Sequence, residues 1–184
     1  LDVVKLLLAN GADPNKTTTD DGTTPVFIAA EEGHIDVVKA LLANGADPNQ
    51  ATTDDGTSPV FVAVVYGHLD VLKLLLANGA NPNQARTDEG TTPMYIAAGR
   101  GHLNVVKALL ANGADSNRAI PDGDTPIEVA KYQGHQDIVD LLQSAEKRIS
   151  LSYKENQSGG SMKIRKKGKK KSKKKLKKSR KVKK

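Results

Sequence analysis

DGTTPVFIAAEEGHIDVVKALLANGADPNQATTD, residues 21–54, returns almost unchanged as DGTSPVFVAVVYGHLDVLKLLLANGANPNQARTD at 55–88. It returns again as EGTTPMYIAAGRGHLNVVKALLANGADSNRAI from Glu89 and, shortened, as DGDTPIEVAKYQGHQDIVDLLQ from Asp122. Before all of these, LDVVKLLLANGADPNK at 1–16 matches only the second half of a unit. The histidines of the Gly-His pairs, His34, His68, His102 and His135, are 34, 34 and 33 residues apart. A fixed period in this range marks a stacked solenoid, in which each unit buries its apolar face only against its neighbours.

Each unit carries signals for two short helices. Thr24-Pro25, Ser58-Pro59, Thr92-Pro93 and Thr125-Pro126 set a hydroxyl N-cap before a proline at the first helical position. There the hydroxyl can accept from an orphan N–H, and proline loses nothing by lacking its own. Thr125 and Glu128 also have the spacing of a capping box. The first helix is brief and apolar, with alanines that permit close helix contact. After the Gly-His turn, Ile35, Val37, Val38, Leu41 and Leu42 recur at helical spacing. Asn44-Gly45, Asn78-Gly79 and Asn112-Gly113 stop this second helix, the glycine supplying a left-handed cap. The polar stretch from Asp47 to Gly56 reads as a turn or hairpin.

The order DG-x-TP, AA-x-x-GH, VVK-x-LL-x-NGAD-x-N resembles the ankyrin repeat family over roughly residues 1–148. The resemblance implies an all-α solenoid of L-shaped helix-turn-helix units with projecting β-hairpin turns. The expected divisions are a partial repeat at 1–20, then 21–54, 55–88, 89–121 and 122–148. Two departures stand out. The family's usual histidine after TP-x is replaced by Phe27, Phe61, Tyr95 and Glu128, which removes its hydrogen bond. Three turns also carry one residue more than the last, Gly45 to Gly56 against Gly113 to Gly123.

The net charge of +7 averages two opposite regions. Residues 163–184 hold 16 Lys or Arg and no acid, whereas residues 1–162 carry 12 basic and 21 acidic side chains. No cysteine occurs, which removes disulfides and thiolate metal sites and suits a reducing compartment. No apolar run is long enough to span a bilayer. Leu1 falls inside a helix that lacks its partner, so the sequence reads as part of a longer protein. The expectation is a monomer located inside the cell, in the nucleus or the cytoplasm.

Comparison among the units separates framework from surface. The pair before Gly-His changes sharply: Glu31-Glu32, Val65-Tyr66, Gly99-Arg100 and Tyr132-Gln133. By the family resemblance, this end of the first helix and the hairpin tips line a concave groove. These eight residues are therefore the expected protein contacts, the tyrosines foremost, because exposed aromatics anchor interfaces. The tips are rich in Thr and Asp, as turn chemistry alone would make them, and an acidic rim favours a basic protein partner.

No catalytic constellation, cofactor site or metal site is expected. The four histidines hold equivalent places, and helices about 8–10 Å apart cannot bring them to one zinc ion. Asp47, Asn49 and Asp55 lack the alternation of a calcium loop. Asn15-Lys16-Thr17 and Asn156-Gln157-Ser158 fit the glycosylation pattern by chance.

Residues 149–162 read as a flexible linker, and 163–184 as a Lys/Arg-rich tail disordered by its own repulsion. Its dense clusters are Lys166, Lys167, Lys169, Lys170 and Lys171, then Lys173, Lys174, Lys175, Lys177, Lys178, Arg180 and Lys181. Such clusters suit a nuclear import signal or non-specific RNA or DNA contact by phosphate neutralisation. Without interleaved aromatics, base reading is not expected.

Overall fold

The computed structural model describes residues 1–148, 150 and 151. The chain divides into two units, 1–142 and 143–184. Among the described residues there are nine helices and no strand. Eight are α1 (Asp2–Ala9), α2 (Pro25–Glu31), α3 (Ile35–Ala43), α4 (Pro59–Val65), α5 (Leu69–Ala77), α6 (Pro93–Gly99), α7 (Leu103–Ala111) and α8 (Pro126–Tyr132). The ninth, α9, begins at residue 136 and runs to 142 within the first unit. The described residues of the second unit, 143–148, 150 and 151, are helical. Residues 150 and 151 are thus the described part of the expected linker. The expected tail at 163–184 lies outside the described residues.

The start and stop chemistry fixes each helix. Phe27 N–H donates to Thr24 Oγ1 at 3.2 Å, and the same bond forms at Ser58 and Thr92. Thr125 adds the full capping box, its own N–H donating to Glu128 Oε2 at 2.8 Å. At the end of α3, Ala46 N–H donates to Leu41 O and Gly45 N–H to Leu42 O. With Gly45 at φ 87° this is a Schellman cap, and it repeats after α1, α5 and α7.

Two layers result. In the first, α2, α4, α6 and α8 stack in order; in the second, α1, α3, α5 and α7 do. The core lies between them: Val38, Leu72, Leu75, Val106, Leu109, Ile138 and Leu142 are buried against Ala30, Ala63, Ala97 and Ala98. Leu7 is 55% exposed although its counterparts Leu41 and Leu75 are buried. Among the described residues, α1 has no first-layer helix of its own unit to cover it.

A row of asparagines holds the units in register. Asn15 Nδ2 donates to Gly45 O at 2.9 Å and its Oδ1 accepts from Asp47 N–H at 2.7 Å. Asn49 and Asn83 repeat both bonds one unit further on. The projecting turns close with one backbone cross bond each: Thr18 N–H to Thr23 O, Thr52 to Thr57 and Arg86 to Thr91. The fourth closes from Ile120 to Asp124, one residue sooner, as its shorter sequence requires. With one such backbone bond and no ladder, these turns have the reach of hairpins without strands.

Candidate functional site

Seven residues long from the proline of each Thr-Pro or Ser-Pro pair, the first-layer helices end at the pair that varies. Glu31, Val65, Gly99 and Tyr132 are the last helical residues of α2, α4, α6 and α8. Glu32, Tyr66, Arg100 and Gln133 are the C-caps that follow. All eight therefore sit at one edge of one layer. Tyr66 and Tyr132 are exposed by 55% and 74%, and Glu32, Arg100 and Gln133 are exposed too. Exposed carbonyls at a helix C-terminus favour cations nearby. Arg100 meets that preference; Glu31 and Glu32 oppose it.

Glu31, Val65 and Tyr66 come together in a groove of about 430 Å³ between α2, α4 and two neighbouring turns. Ile28, Phe61 and Val62 are among its apolar lining residues, with Phe27 and Val65. Ile28 is 47% exposed, although Val26, Phe27, Ala29 and Ala30 of the same helix are buried. Tyr66 stacks on His68 at 6.2 Å between ring centroids, and its hydroxyl donates to Glu31 Oε1 at 3.5 Å.

The rim is acidic, with Asp21, Asp54 and Asp55 from the turns facing Glu31. Arg86 is the cation among the lining residues, and it is engaged by Asp55 at 2.8 Å and by Asp88. Its Cζ lies 5.8 Å from the Phe61 ring centre, and its buried Nε has no acceptor among the described residues. The Thr18 hydroxyl and Thr23 N–H hold Asp21 down to about 2. Partial burial pushes Asp55 upward, but Thr57, Thr52 and Arg86 together hold it below the usual carboxylate range. Both therefore stay charged well into acid.

The remaining expected contacts do not line this groove. Arg100, Tyr132 and Gln133 stand open further along the layer, while Gly99 has a packing role. A Cβ on Gly99 would meet Val129 Cγ2 at 3.1 Å, and its carbonyl accepts from His135 Nε2 at 3.1 Å. His68 Nε2 likewise donates to Glu31 O at 2.9 Å. His68 and His135 thus each tie their own unit to the one before, and no group of His, Asp and Glu among the described residues could hold a metal ion. The Asn15 side-chain amide donates to Gly45 O. The basic residues from Lys166 to Lys181 and the Asn156 sequon lie outside the described residues.

Phe27, Ile28, Phe61, Val62 and Arg86 are among the groove residues that the sequence reading missed. Arg86 had a signal: it stands where the preceding turns have Thr18 and Thr52. Among the described residues no helix is long and apolar enough to cross a membrane.

A search among curated proteins finds no match. A family model described as ankyrin repeats, in three copies, matches residues 1–86 and 80–153. Ankyrin repeats are in general protein-interaction modules, typically without enzymatic activity. A match of that length, over units that stack in this manner, makes the chain a member of the ankyrin repeat family.

Proposed function

We propose that this chain binds a partner protein through the C-terminal ends of α2, α4, α6 and α8 and the acidic turns beside them. One observation carries the reading. The units repeat their buried framework almost residue for residue, yet differ most at Glu31-Glu32, Val65-Tyr66, Gly99-Arg100 and Tyr132-Gln133, which share one structural place. The chemistry there is that of an interface: two exposed tyrosines and an arginine amid charged residues. The test is a photo-crosslinking residue placed at Tyr66 or Tyr132, with Asp36 or Lys107 on the second layer as controls. Protein captured from the first two sites alone supports the reading; equal capture from all four counts against it.

The 16 Lys or Arg in residues 163–184 favour a second role, electrostatic attachment or nuclear address. A charge block of this density attracts nucleic acid by counterion release, with affinity falling steeply as salt rises. In this second reading the tail is the main binding element and the repeats tether other factors. Removing residues 163–184 should then abolish binding to a single-stranded oligonucleotide and leave crosslinking at Tyr66 intact; retained oligonucleotide binding would refute the role. Nuclear accumulation lost on the same deletion would identify an address.

A further inference from the structure

We propose that the groove between α2 and α4 takes a basic segment of the partner, one large apolar side chain flanked by lysine or arginine. This rests on the interaction reading above and narrows it to one place and one ligand chemistry. Three features of the groove set that chemistry. Its floor is apolar and firm, since Phe61 and Val62 are 4% and 5% exposed, while Ile28 and Tyr66 rise open on either side. An apolar side chain laid between Ile28 and Tyr66 removes surface of both from water without displacing the core.

The rim supplies the charge. Asp21 and Asp54 on the turn side and Glu31 on the helix side face the opening, and Arg86 is already engaged by Asp55 and Asp88. A segment with cations on both flanks of its apolar residue meets a carboxylate on each side. Nucleic acid or an acidic peptide meets repulsion at the same places.

The third feature is the misplacement of Glu31 and Glu32. Glu31, which lines the groove, is the last residue of α2, and Glu32 beside it is the cap; that carbonyl end disfavours anions, and the equivalent cap on α6 is Arg100. An incoming cation relieves this conflict, so the acids contribute more to binding than they do to the free fold.

The test titrates the full-length, isotope-labelled chain with three pentapeptides, KKFKK, KKAKK and EEFEE, while backbone amide resonances are followed residue by residue. KKFKK should shift Ile28, Glu31, Val62 and Tyr66, and bind about tenfold tighter than KKAKK, as burial of a phenylalanine requires. Tyr66→Ala and Ile28→Ser, both at exposed positions, should erase that preference. Glu31→Gln with Asp54→Asn should weaken both lysine peptides alike. EEFEE should shift resonances of residues 163–184 and none in the groove.

Equal affinity for KKFKK and KKAKK would overturn the proposal. So would shifts spread evenly over the acidic turns at Asp88 and Asp122, or groove shifts produced by EEFEE. Partner capture from Tyr132 alongside such a result would leave the wider interaction face standing; loss of capture as well would remove both readings.

Discussion

At Gly33 the backbone turns through a φ of +70°, and a Cβ there would stand 2.7 Å from Cε1 of His68 in the next unit. Gly79 turns at +85° with nothing within 4 Å. Alanine at either position meets the left-handed backbone cost of about 1–2 kcal/mol. Only at Gly33 must it also displace an imidazole that donates to Glu31 O, a further cost of about 1 kcal/mol. Urea unfolding should therefore show Gly33→Ala less stable than Gly79→Ala by roughly that amount. Equal losses would mean that the ring contributes nothing to stacking. Acid tests a second set of residues. Asp21, Asp55 and Glu128 all have carboxyls held below the usual range in the folded chain, so the unfolded chain binds protons more readily. The stability this contributes is complete above the unfolded carboxylate range and is lost as pH falls from about 4 through 2. The thermal midpoint should drop across that window, and Asp21→Asn should shallow the drop.

The elements show where sequence reasoning reached and where it stopped. Every first-layer helix begins at the proline of its Thr-Pro or Ser-Pro pair, and the second-layer helices α1, α3, α5 and α7 end at Asn-Gly, because these signals act within a few residues of themselves. The positions of the variable pairs were legible for the same reason. The asparagine row was not, since Asn49 finds its partners in Gly79 and Asn81, 30 and 32 residues away. Nor was the groove, because Ile28 differs in exposure from its helical neighbours only once α4 is packed beside it. Arg86 looks like one altered turn residue until the fold brings Asp55 to it. The asparagine row can be weighed directly. Asn49→Ala removes two inter-unit bonds and should cost about 2 kcal/mol in urea unfolding. Asn117, the last of the row, makes no such bridge among the described residues, and Asn117→Ala should cost near nothing. A comparable loss at both sites would place the contribution in the local turn.

Over the first unit as a whole, the first-layer ends change sign along the stack, from Glu31 and Glu32 through Val65 and Tyr66 to Arg100 and Lys131. A segment lying along this edge meets anions at α2 and cations at α6 and α8, so its own charge must run in the opposite order. That polarity is a property of the array, because in a solenoid neighbouring units contribute to one surface while each packs only on its neighbours. It also sets how far a substitution outside the groove can act. Successive helices lie about 8–10 Å apart, close to the Debye length at 0.1 M salt, so Arg100 feels a cation in the groove only through a partly screened field. Arg100→Glu changes the local charge by two without touching the α2–α4 surface. Coulomb attraction at such a distance, screened, predicts about twofold tighter binding of KKFKK for each cation seated there at low salt. The gain should vanish when salt is raised, while the preference for KKFKK over KKAKK survives, since apolar burial is not screened. Calorimetry at two ionic strengths separates these terms. A gain that persists at high salt would mean that the introduced carboxylate contacts the peptide directly and that the groove extends one unit further than its α2–α4 walls.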